Sequence, residues 1–207
     1  MRKKILCLLA AGTLLALTVF CCTFIPFLQQ CEDISGRVIR LHVLADSDEE
    51  EAQALKLAVR DRLLEEAKAY LDVTNASKSE AESQLQQLLP VLKECAEEEL
   101  RAHGCDLPVH LELADTFFTT RTYGSYTLPA GRYEALRVVI GSGQGQNWWC
   151  IVFPPLCISP SLGTSEVQLS AVLPEDELEI VSDYPQYEFR FKLVEWIESL
   201  LEQWRGN

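Results

Sequence analysis

Arg37-Val-Ile-Arg-Leu-His-Val-Leu-Ala-Asp-Ser-Asp-Glu-Glu-Glu51 carries two periodicities back to back. In its first half, Ile39, Leu41, Val43 and Ala45 fall on one side of an extended chain, with Arg40 and His42 on the other. That alternation predicts a strand. In its second half, Ser47 precedes Glu50 by three residues, the spacing of a capping box. The acids Asp48, Glu49, Glu50 and Glu51 cluster where the positive end of a helix dipole favours them. Leu55, Val59 and Leu63, widened by Leu64, Ala67 and Leu71, continue the helix to about Tyr70.

The same reading extends in both directions. Ser79 and Glu82 form a second capping-box pair, followed by Leu85, Leu88, Leu89, Leu92, Ala96 and Leu100 at helical spacing. Pro90 is expected to kink or split that helix, and Gly104 to end it. Val109–Leu113 alternates as a strand. Thr116–Tyr126 is rich in Thr and aromatics and turns at Gly124. Tyr133–Ile140 and Asn147–Phe153 read as two more strands. A glycine-spaced loop, Gly141-Ser-Gly-Gln-Gly-Gln146, joins them and is expected to be a flexible hairpin. Residues 160–183 read as a polar loop insert. A last helix near Phe189–Trp204 places Phe191, Val194, Ile197, Leu201 and Trp204 on one face. The order β-α-α-β-β-β-α implies an α+β domain with a largely antiparallel sheet packed against helices.

Upstream, the chain opens with Arg2, Lys3 and Lys4 and then has no charge from Ile5 to Cys31. A spanning helix needs about 20 apolar residues, and this run supplies them. A basic start tends to stay in the cytoplasm. Residues 1–30 are therefore expected to be a signal peptide or an N-terminal membrane anchor. Residues 31–207 are expected to be one exported domain. Of 18 Lys and Arg, three sit in that leader, so the rest of the chain has 15 bases against all 31 acids. A body this acidic repels a phosphate backbone, so no nucleic-acid partner is expected.

The chemistry-bearing residues form no recognisable catalytic set. Cys150 and Cys157 flank a Pro-Pro turn in an exported body and are candidates for a disulfide; the alternative is a pair of small buried hydrophobes. Cys150 as a nucleophile would need a base, for which His42 is the candidate, but neither local motif of the known Cys-His families is present. His103, Cys105 and His110 lack zinc-site spacing, and Asp46–Glu51 lacks the glycine of a calcium loop. No metal and no cofactor is expected. The glycine loop opens no helix, which argues against a phosphate cradle. Trp148 and Trp149 must point to opposite faces of their strand. One exposed Trp would suit recognition of a protein, or of a cell-wall sugar in a wall-binding module.

Three blocks carry a family resemblance. They are Ile39–Asp48 with Ala54–Asp61; Arg121-Thr-Tyr-Gly124 with Leu128–Gly141; and Gly145–Cys157. Together they resemble stage II sporulation protein R over about Val38–Ile158. Asp46 stands where that family usually has Asn. The resemblance implies a protein exported from the forespore into the space between two septal membranes. There it would activate a membrane-embedded aspartic protease that processes pro-sigma factor E. It implies an activating ligand and not an enzyme. The expected contact surface is the aromatic- and arginine-rich segment containing Arg121, Tyr123, Arg137, Asn147, Trp148 and Trp149. The alternatives are a cell-envelope cysteine hydrolase using Cys150 and His42, and a wall-binding module.

Overall fold

A computed structural model describes residues 2–71, 77–154, 169–170 and 172–205. Helix α1 runs Arg2–Ser35. Strand β1, Ile39–Leu44, follows, then helices α2, Glu50–Tyr70, and α3, Lys78–Ala102. Strands β2, Val109–Phe118, β3, Arg121–Tyr123, β4, Tyr126–Leu128, β5, Gly131–Ile140, and β6, Asn147–Phe153, come next. Helices α4, Glu175–Ser182, and α5, Tyr184–Arg205, close the described chain.

The main sheet has the order β2-β5-β1-β6, and β3 and β4 make a separate ribbon. β2 and β5 are antiparallel, as are β1 and β6, whereas β1 and β5 at the centre run parallel. The expected α+β class with a largely antiparallel sheet holds, as a mixed, open sheet. β1 lies between two partners, and both of its faces are buried because a separate core packs on each side of the sheet. Ile39, Leu41 and Val43 face α2 and α3, in a core with Val59, Leu63, Leu85, Leu92, Leu136 and Val138. The opposite face meets a second, aromatic core: Phe27, Phe118, Tyr133, Ile151 and Phe191.

Local details depart from expectation for physical reasons. α2 begins after Glu49, and Ser47 makes no cap; its hydroxyl only accepts from Glu49 N at 3.4 Å. The capping box of α3 is Ser77 with Glu80, two residues before the expected Ser79 and Glu82. Both pairs have the motif spacing, and the one at the true helix start wins. Pro90 does not split α3. Leu85 before it and Leu92, Ala96 and Leu100 after it are all buried in one core, which outweighs one lost backbone bond. At the far end Cys105 N donates to Leu100 O and Gly104 N to Arg101 O, both at 2.9 Å, with Gly104 at φ +76°. That is a Schellman cap.

The glycine loop is not a hairpin, because β1 lies between β5 and β6. Gly141–Gln146 instead arches over the end of β1 and is tied to it. Asp46 Oδ1 accepts from Ser142 N at 2.6 Å, and Ala45 O from Gly145 N at 2.9 Å. Asp48 Oδ1 accepts from Gln146 N at 2.7 Å, and buried Lys56 donates to Gln146 O at 3.0 Å. A Cβ on Gly145 would lie 2.2 Å from Ser47 O, so this close approach requires glycine. Asp46 therefore serves the loop and not the helix cap.

Part of the expected 160–183 insert is structured. α4 occupies Glu175–Ser182, and Leu169, Leu173, Ile180 and Val181 join the aromatic core. α1 runs past the expected boundary at residue 30, and Phe24, Phe27, Cys31 and Ile34 are buried in that core.

Candidate functional site

β1 and its neighbours build a row of side chains across the aromatic face: Glu112 on β2, Arg137 on β5, His42 on β1 and Trp149 on β6. Period-2 alternation puts them on one side, and the helices α1, α4 and α5 with the β3–β4 ribbon cover only part of that side. The near end of the row stays accessible: Asn147 and Arg121 are exposed, and Arg137 and Glu112 are half-buried.

His42 is 6% exposed, and its ring stacks on Trp149 with centroids 3.8 Å apart and planes 11° off parallel. Phe118 meets Trp149 edge-on at 4.8 Å. Among the described residues neither ring nitrogen of His42 has a well-formed hydrogen bond. Burial pulls the His42 imidazole down to about 4; the neighbouring Asn147 amide works the other way, and the Arg137 and Arg40 charges add to the fall. The ring is therefore neutral at physiological pH.

Arg40 lies two residues back on the same face and is fully buried. Its guanidinium carbon is 3.9 Å from the Phe118 ring centroid and 4.8 Å from that of Tyr133. It donates to the Tyr123 hydroxyl, while its Nε and Nη1 have no partner among the described residues. Cation–π attraction is what holds this charge in the core. Burial pushes the Tyr123 hydroxyl up despite the nearby cation.

Toward β2, Arg137 pairs with Glu112 at 2.8 Å, and that hydrogen bond holds the Glu112 carboxyl below its ordinary range. Above the stack, the exposed Arg121 guanidinium is 5.8 Å from the Trp149 centroid. The arrangement is a flat aromatic platform edged by cations on an otherwise acidic body. It suits stacking and carboxylate pairing with a partner surface.

The structure thus gathers Arg121, Tyr123, Arg137, Asn147 and Trp149 on one face. Trp148 is apart from them: it pairs with Val43 on the helix face, 36% exposed, with Arg60 4.2 Å over its ring. Cys150 also lies on the helix face, opposite Leu41 and within the core there, so it points away from His42. No Cys150–His42 catalytic pair forms. Cys150 is disulfide-bonded; its expected partner, Cys157, lies outside the described residues. Among the described residues no three His, Cys, Asp or Glu side chains gather as a metal site.

Sequence reasoning missed Arg40, Phe118 and Glu112 as members of this site. The alternation of Arg40 and His42 was visible, but polar positions on a strand usually face water, and nothing local announced that aromatics would cover them. Trp204 is also displaced from expectation. It is 84% exposed, on a stripe with Phe189, Trp196 and Leu200, while Phe191 and Val194 take the buried face.

The family model described as stage II sporulation protein R matches residues 35–162, which include every strand of the site. Stage II sporulation protein R of Bacillus subtilis (strain 168) is 37% identical over 125 residues, covering 60% of this chain and 55% of that protein. The match thus spans about half the length of the curated relative. No solved structure matches. With a family model covering more than half of its length, this chain belongs to the stage II sporulation protein R family, a family of sporulation proteins.

Proposed function

We propose that the protein is an extracytoplasmic messenger of sporulation that switches on a membrane-embedded aspartic protease, which in turn processes pro-sigma factor E. The open sheet face carries this reading: a Trp149–His42 platform flanked by Arg121, Arg137 and Asn147. Aromatic and arginine side chains around a partly desolvated centre are the composition of protein contact surfaces. A ligand activates a protease only by binding its active form more tightly than its inactive one. This face supplies contacts for that difference, and among the described residues it carries no nucleophile paired with a base. The α1 segment, long and apolar enough to cross a membrane, supports delivery across one.

Co-expression of the full chain, the protease and pro-sigma factor E in a non-sporulating host tests the reading. Combined Arg121→Ala, Asn147→Ala and Trp149→Ala substitution is expected to abolish processing with the fold intact. Trp148→Ala, on the other face, is expected to leave processing unchanged. Full processing by the triple variant would refute the assignment.

A further inference from the structure

We propose that α1 is retained in the working protein as a membrane-spanning helix whose last three turns are built into the domain, seating the domain directly on the bilayer surface. Ile5–Thr23 supplies about the 20 residues a hydrocarbon core requires, and Leu9, Leu14, Leu17 and Phe20 along it are exposed. One turn later the same unbroken helix becomes core. Phe27 is 1% and Ile34 0% exposed. Phe27 stacks on Tyr187 at 5.8 Å and meets Phe191 edge-on at 5.7 Å. Gln30 donates to Asp176 at 3.0 Å. A leader that is cut off is joined to its domain by a segment the fold can spare. Here the apolar run and the core overlap, with no spacer between Ile25 and Phe27.

The orientation follows from α5. Tyr187 lies beside Phe27, and further along α5 Glu198 lies near Cys31 and Glu32. α5 therefore climbs away from the bilayer as α1 does, and Phe27 to Ser35 is a rise of about 12 Å. Phe189, 76% exposed at the low end, and Arg190, whose guanidinium is 5.5 Å from the Phe27 centroid, fall at the level of the lipid headgroups. Aromatic and basic side chains favour that zone. Trp204, at the far end, stands clear of it. The inference is independent of whether the open sheet face binds a protease.

The test uses the native chain. Its intact mass and peptide map, measured after recovery from the membranes of a secreting host, are expected to show Arg2–Ser35 still joined to the domain. A product lacking any part of Arg2–Ser35 overturns retention. The same protein in lipid nanodiscs is then footprinted with hydroxyl radicals. After correction for intrinsic reactivity, Phe189 is expected to be oxidised severalfold less than Trp204, although the two are similarly exposed in the isolated chain. Equal reactivity, or stronger protection of Trp204, overturns the seating.

Discussion

His42→Phe separates the pH sensitivity of the fold from everything else that titrates. In the folded chain burial holds the His42 imidazole near 4, whereas in an unfolded chain a histidine titrates near 6.5. Between those values the unfolded state binds the proton and the folded state does not, so stability falls as pH falls through 6.5 and levels off below 4. From pH 7 to pH 5 the loss is about 2 kcal/mol for this one group. Phe keeps the stack on Trp149 and removes the titration. It also removes two buried ring nitrogens that have no well-formed hydrogen bond among the described residues, a gain of about 1–3 kcal/mol at neutral pH. Glu134, Glu177 and Glu198, whose carboxyls burial pushes up, titrate alike in both chains and cancel in the difference. Urea unfolding in a mild non-ionic detergent, followed by tryptophan fluorescence at pH 7 and pH 5, reads the effect. The wild-type chain is expected to lose about 2 kcal/mol more than His42→Phe on acidification. Equal losses would refute the buried neutral imidazole.

Gly145→Ala drives a Cβ into the Ser47 carbonyl and is expected to cost about 1–3 kcal/mol, read as a lowered thermal midpoint. Ser77→Ala removes the capping box of α3 and is expected to cost about 1 kcal/mol, while Ser47→Ala stays within about 0.5 kcal/mol; urea midpoints compare the two. Phe27→Ala is expected to destabilise the domain by about 3–5 kcal/mol in micelles, whereas Leu17→Ala, 59% exposed on the same helix, is expected to leave the domain's unfolding midpoint unchanged.

The elements legible in the sequence are those whose hydrophobic period is long and whose ends carry their own signals. β1, α2, the Gly104 cap, the turn at Gly124 and the body of α5 all fall where periodicity and turn chemistry put them. Three of the misreadings share a cause: the deciding contact is distant in sequence. The loop after β5 reads as a hairpin because adjacent strands usually pair, but β1, a hundred residues upstream, occupies the place between them. α4 hides among acids, and its Ile180 and Val181 matter only against a core that α1 and α5 complete. Arg40 looks like a solvent-facing residue until Phe118 and Tyr133 arrive from β2 and β5 to enclose it. Trp149, Arg121 and Asn147, grouped from the sequence, do lie on one face of the sheet. Trp148 was assigned with them, although alternation alone sends it to the other side.

The proposed contact between the open sheet face and a membrane protease can be captured directly. A photoreactive phenylalanine in place of Asn147, introduced into the full chain in cells that carry the membrane protease and pro-sigma factor E, is expected to cross-link to the protease on illumination. The same group in place of Lys93, on the exposed side of α3, is expected to yield no such adduct. An adduct from position 93 alone, with processing intact, would contradict the account.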